Sequence, residues 1–95
     1  MIYNADVEEL VEEKTKEKVN SGKVLVLHND DWNTFDHVES CLISICKHSP
    51  HQAAQCALLV HFKGKCDVKR GEDEELKKMY AALKREELSV TLEED

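Results

Sequence analysis

Ninety-five residues, 41% of them hydrophobic and 35% charged, are enough for one domain with a small core. A net charge of −7 speaks against nucleic acid as a partner, because phosphate contacts need clustered Lys and Arg. No apolar run approaches membrane-spanning length, and Met1 to Asp6 lacks the basic flank and apolar stretch of a signal peptide, so no membrane partner and a cytoplasmic location are expected.

Acids and bases are unevenly spread. Residues 1–22 hold six acids and three bases, residues 23–70 five and six, and residues 71–95 nine and four. The near-neutral middle is where a folded, partner-facing core is expected, with solvated acidic ends. Cys41, Cys46, Cys56 and Cys66 allow three disulfide pairings in a secreted chain, but without a signal peptide they read as reduced, small core residues.

In chain order, residues 1–22 alternate Glu and Lys, with Val7, Leu10, Val11 and Lys14 at helical spacing, and end in Asn20-Ser21-Gly22. A lone helix this short is marginal in water. The segment reads as a flexible N-terminal arm ending at a Gly hinge, with a first helix packed on the domain as the alternative, and the core domain is expected over 23–95. Lys23 to His28 is a β-branched and aliphatic run, the pattern of a buried strand. It stops in Asn29-Asp30-Asp31, whose side chains bond nearby backbone and favour a turn. Trp32 falls on the rim of this loop, where packing against the domain is its default role.

A helix is predicted over Phe35 to His48, with a stripe of Val38, Cys41, Leu42, Ile45 and Cys46, a cap from Asn33 or Thr34, and Lys47 and His48 at its negative end. Ser49-Pro50-His51-Gln52 opens the next helix: Ser49 as N-cap, Pro50 at the first helical position and Gln52 completing a capping box. That helix runs to about Lys63, with Gly64 as a left-handed C-cap. Cys66 to Arg70 reads as a short strand closed by Gly71. A third helix starts in Glu72-Asp73-Glu74-Glu75 and ends at Lys84-Arg85, burying Leu76, Met79, Tyr80 and Leu83. A final strand, Leu88 to Leu92, points Leu88, Val90 and Leu92 inward. The order β-α-α-β-α-β predicts a small α+β domain, a three-stranded antiparallel sheet with three helices packed on one face.

The chemistry concentrates where the first strand ends. Asn29, Asp30 and Asp31 supply oxygen acceptors; alone they read as a turn and helix cap. His61 lies one turn after Ala57 on the same helix face, and a neutral imidazole offers one acceptor nitrogen. Acceptors beside a dry wall of Phe35, Val38 and Val60 suit a ligand with an ammonium and an apolar group, although a helix histidine is more commonly a local hydrogen-bonding residue. Metal spacing is poor, with no C-x-x-C and no H-x-x-x-H; His37 and Cys41 alone share a helix face as potential ligands. No Gly-rich elbow presents a cysteine nucleophile. The expectation is a protein that is not an enzyme and has neither metal nor cofactor.

Two stretches, Val24-Leu25-Val26-Leu27-His28-Asn29-Asp30-Asp31 and Ala57-Leu58-Leu59-Val60-His61-Phe62-Lys63-Gly64-Lys65-Cys66, resemble the ClpS adaptor family, and the likeness extends over about residues 22–93. The resemblance implies an adaptor that binds proteins bearing a destabilising N-terminal Phe, Tyr, Trp or Leu and delivers them to a Clp-family AAA+ unfoldase for degradation by ClpP. By position it implies that Asn29, Asp30, Asp31 and His61 surround the α-amino group. It likewise implies that Phe35, Val38, Ala57 and Val60 line the side-chain pocket and that residues 1–22 engage the unfoldase. Asn33-Thr34-Phe35 departs from the frequent Thr-Pro-Met, and Ala57 replaces a methionine that narrows the pocket of well-known members against β-branched residues. The rival reading is a degron-independent protein-interaction module, like the related small α+β docking domains of ribosomal stalk proteins.

Overall fold

The computed structural model describes residues 22–95. The arm expected over residues 1–22 therefore lies outside the described residues, apart from Gly22, which opens the first strand rather than forming a hinge. Three strands, β1 (Gly22–His28), β2 (Lys65–Glu72) and β3 (Val90–Glu94), and three helices, α1 (Phe35–Cys46), α2 (Pro50–Lys63) and α3 (Asp73–Arg85), follow the predicted order. The sheet order is β2-β1-β3, with β1 antiparallel to both neighbours.

The central place of β1 explains its composition. Neighbouring strands flank it on both edges, and Val24, Leu25, Val26 and Leu27 are all buried. Side chains alternate between faces. Leu25 and Leu27 meet the helices in a core that includes Leu42 and Cys46 of α1, Ala53 and Cys56 of α2, and Leu76 and Leu83 of α3. Val24 and Val26 take the opposite face, where their cross-strand partners are polar: Arg70 and Glu93 beside Val24, Asp67 and Thr91 beside Val26.

Leu25 pairs with Lys69 and Val26 with Asp67, so Val68 is the extra residue of a β-bulge. The Nε2–H of the buried His48 donates to the carbonyl of Val68 at 2.9 Å, joining the α1–α2 connection to the bulge.

Helix ends follow the predicted chemistry, with differences at the margins. Ser49 and Gln52 form the reciprocal capping box, and Gly64 caps α2 at φ +96°. Thr34, not Asn33, caps α1, its hydroxyl accepting from the His37 N–H at 3.1 Å. α1 stops at Cys46 rather than His48 because Lys47 turns left-handed (φ 63°), with the His48 N–H closing on the Leu42 carbonyl. β2 is longer than predicted and runs through Gly71, which pairs with Lys23. β3 starts at Val90; Leu88 instead closes the end of α3 through Leu88 N–H to Leu83 O at 3.1 Å, while its side chain stays buried. All four cysteines are free.

Candidate functional site

The loop from Asn29 to Thr34 is positioned by its carboxylate at residue 30. Asp30 Oδ1 accepts from the backbone N–H of Trp32 (3.1 Å) and Asn33 (2.9 Å), and Oδ2 from Asn33 Nδ2 (2.8 Å) and Ser89 Oγ (3.2 Å). Burial pushes this carboxyl up, but the hydrogen bonds, led by those from Asn33, outweigh it and hold Asp30 below the ordinary carboxylate range. Asp30 is therefore ionised and saturated with donors.

The far side of the loop is held by one carbonyl. Glu87 has φ 68°, a left-handed conformation uncommon for a non-glycine residue. Its carbonyl accepts from both Trp32 Nε1 (3.1 Å) and Asn33 Nδ2 (3.0 Å). Trp32 itself stays 64% exposed, so it is tied to the α3–β3 connection by its indole N–H and does not pack into the core. Two backbone bonds fix the end of β1: His28 N–H to Ser89 O (2.7 Å) and Asn29 N–H to Gly64 O (2.9 Å). The Gly64 cap thus brings the end of α2 to the acceptor loop.

A partly open cavity of about 30 Å³ results, gathering Asn29, Asp30, Phe35, Val38, Ala57, Val60 and His61. Leu27, His28, Asn33 and Thr34 complete its wall. Ala57 and Val60 are buried, and Phe35 is 41% exposed at the rim. The rings of Phe35 and His61 meet edge to face, with centroids 5.4 Å apart at 68°, and Phe62 also meets His61 edge to face at 4.8 Å. Neither ring nitrogen of His61 has a hydrogen-bond partner among the described residues. Asp31 is exposed and does not line the cavity. The four additional wall residues were missed for a simple reason. Asn33 and Thr34 read locally as caps, and the β-branched and aliphatic run from Lys23 to His28 places Leu27 and His28 in a strand without reference to a site.

Fold and site define a small α+β domain with a mainly apolar recess, edged by hydrogen-bonding groups, at one end of its central strand. The family model for "ATP-dependent Clp protease adaptor protein ClpS" matches residues 12–91. The chain is 39% identical over 95 residues to the ClpS adapter protein of Nitratidesulfovibrio vulgaris, covering 94% of this chain and 93% of that one. It is 39% identical over 72 residues to the ClpS adapter protein of a Synechocystis species, covering 72% and 69%. Its fold is similar to that of Agrobacterium tumefaciens ClpS2 bound to L-phenylalaninamide, with TM-score 0.72 and 21% identity, covering 79% of this chain and 98% of that one. The chain belongs to the ClpS family of adaptors of the ATP-dependent Clp protease.

Proposed function

We propose that this adaptor binds proteins through a bulky hydrophobic N-terminal residue, Phe, Tyr, Trp or Leu, and delivers them to a Clp AAA+ unfoldase for degradation by ClpP, without being an enzyme itself. The observation that carries the reading is His61. Its ring nitrogens have no partner among the described residues, and it stands at a recess with an apolar floor and an ionised loop. An ammonium group needs acceptors when water is removed from it, and an unpaired one is costly. Asn29 and His61 supply those acceptors. Asp31, exposed next along the loop, adds negative charge, while Asp30 adds charge and holds the loop in place. Val38, Ala57 and Val60 receive the side chain.

The recess is small against an aromatic ring, so Phe35 turns away from His61 to admit the ligand and then covers it. The ClpS2 structure with L-phenylalaninamide supports the reading chemically, since that ligand carries a free amine next to a benzyl group. Residues 1–22 engage the unfoldase. His61→Ala should weaken a Phe-initiated peptide by about 1.5–3 kcal/mol, the range for hydrogen bonds to charged groups, with the fold unchanged by circular dichroism. Fluorescence anisotropy measures this directly; unchanged affinity in the variant removes His61 from the site.

A further inference from the structure

Away from the recess, His37 and Cys41 stand one turn apart on α1, and the structure brings Glu86, the C-cap of α3, against both. Their ligand atoms all lie within 4.8 Å of one another. His37 Nε2 is 3.7 Å from Cys41 Sγ and 3.9 Å from Glu86 Oε1, and the backbone carbonyl of Glu86 is 3.0 Å from the same nitrogen. Three electron-rich groups thus converge on one nitrogen. A carbonyl can only accept, so its short contact requires a proton on Nε2, and Cys41 then has no acceptor there. The cluster satisfies itself incompletely through hydrogen bonds.

We propose that His37, Cys41 and Glu86 form a zinc site. Around a tetrahedral zinc, with bonds of about 2.0–2.1 Å to N and O and about 2.3 Å to S, ligand atoms lie roughly 3.3–3.6 Å apart. The 3.7 Å and 3.9 Å separations are near that spacing and all three ligand atoms lie within 4.8 Å of one another, so binding draws Cys41 and Glu86 together and turns the His37 ring away from the Glu86 carbonyl. Thiolate, imidazole and carboxylate suit zinc, and the hard cations magnesium and calcium take all-oxygen sites instead. On binding, the Cys41 thiol releases its proton to solvent and His37 moves its ring proton to Nδ1, leaving Nε2 to ligate. Cys41 is buried, His37 is half-buried and Glu86 is exposed, so the ion enters from the solvent side and keeps a water as fourth ligand. It joins the first turn of α1 to the end of α3, bracketing the loop that carries the acceptors.

The test is titration of the reduced, chelator-treated full chain with Co²⁺ as a spectroscopic probe and with Zn²⁺ in competition. Expected are one equivalent bound, a thiolate-to-cobalt charge-transfer band that Zn²⁺ erases, and loss of the band in Cys41→Ser. His37→Ala and Glu86→Gln, neither at a fully buried position, should each weaken binding by at least about tenfold, and they carry the test if Cys41→Ser does not fold. Cys66→Ser should bind as the parent does. Zn²⁺ at tenfold excess over its Kd should also raise the melting temperature of the parent by about 5–10 °C and leave His37→Ala unmoved. Absence of binding overturns the site, as does unchanged binding in both His37→Ala and Glu86→Gln. A band that survives Cys41→Ser and vanishes in Cys66→Ser assigns the metal to another cysteine and overturns it equally.

Discussion

Among single residues, part-buried Asp30 in the loop and buried His48 at the β2 bulge each hold backbone in place. Asp30 collects four donors from three residues, so it organises the loop more than it offers acceptors to a ligand. Asp30→Ala leaves the Trp32 and Asn33 amides without their acceptor and should destabilise the fold by about 1–3 kcal/mol, read as a fall in urea midpoint. Asp31→Ala, at an exposed position, should leave that midpoint nearly unchanged. His48 is the second group. Its Nε2–H serves the bulge carbonyl, and Nδ1 is buried without a partner among the described residues. Burial, with help from the nearby Lys69 charge, pushes its pKa below the ordinary value against the opposing Val68 hydrogen bond. The unfolded chain therefore binds a proton before the folded one does. Stability is fully present above the ordinary histidine value of about 6.5 and is lost as pH falls from there through the lower folded value. Denaturation curves from pH 7.5 to 5 should show this slope, and His48→Gln, which keeps a donor without titrating there, should flatten it.

At the scale of elements, α2 carries the recess on one face. Its cap chemistry was legible down to the residue, because Ser49, Pro50, Gln52 and Gly64 each act through local backbone geometry. The ends set by tertiary pairing were not legible. β2 runs on through Gly71 because β1 offers a partner there, and α1 stops early where Lys47 turns left-handed, which lets the His48 side chain reach the bulge carbonyl. For the same reason Asn29 and His61 stand out in the sequence as candidate acceptors, whereas Glu87 and Ser89, which hold the loop from the α3–β3 connection more than fifty residues away, do not. Ala57 tests whether the α2 face sets selectivity. It is buried, one turn before His61, and lines the cavity. Ala57→Met should weaken Ile- and Val-initiated peptides by at least about 1 kcal/mol relative to Phe, near the low end for steric discrimination by a hydrophobic pocket. Equal losses for Phe, Leu, Ile and Val peptides would mean that Ala57 is a packing residue only.

At the scale of the whole molecule, a central strand paired on both sides lets one end of β1 meet α2, the start of α1 and the α3–β3 connection at once. On the proposed reading, recognition lies in the core and delivery in residues 1–22. The described elements begin at Gly22, so removing residues 2–20 takes away no strand or helix of the described core. Peptide binding should survive that deletion while degradation of an N-terminal Phe reporter by an unfoldase and ClpP fails. On the proposed reading, this adaptor recognises a free amine and an apolar side chain together. The most direct measurement is a titration with a Phe-initiated peptide, its N-acetylated twin and a peptide carrying Phe only internally. Tight binding of the first, with the other two weaker by about 1.5–3 kcal/mol or more, is the predicted result. Equal affinity for the free and acetylated peptides would contradict it.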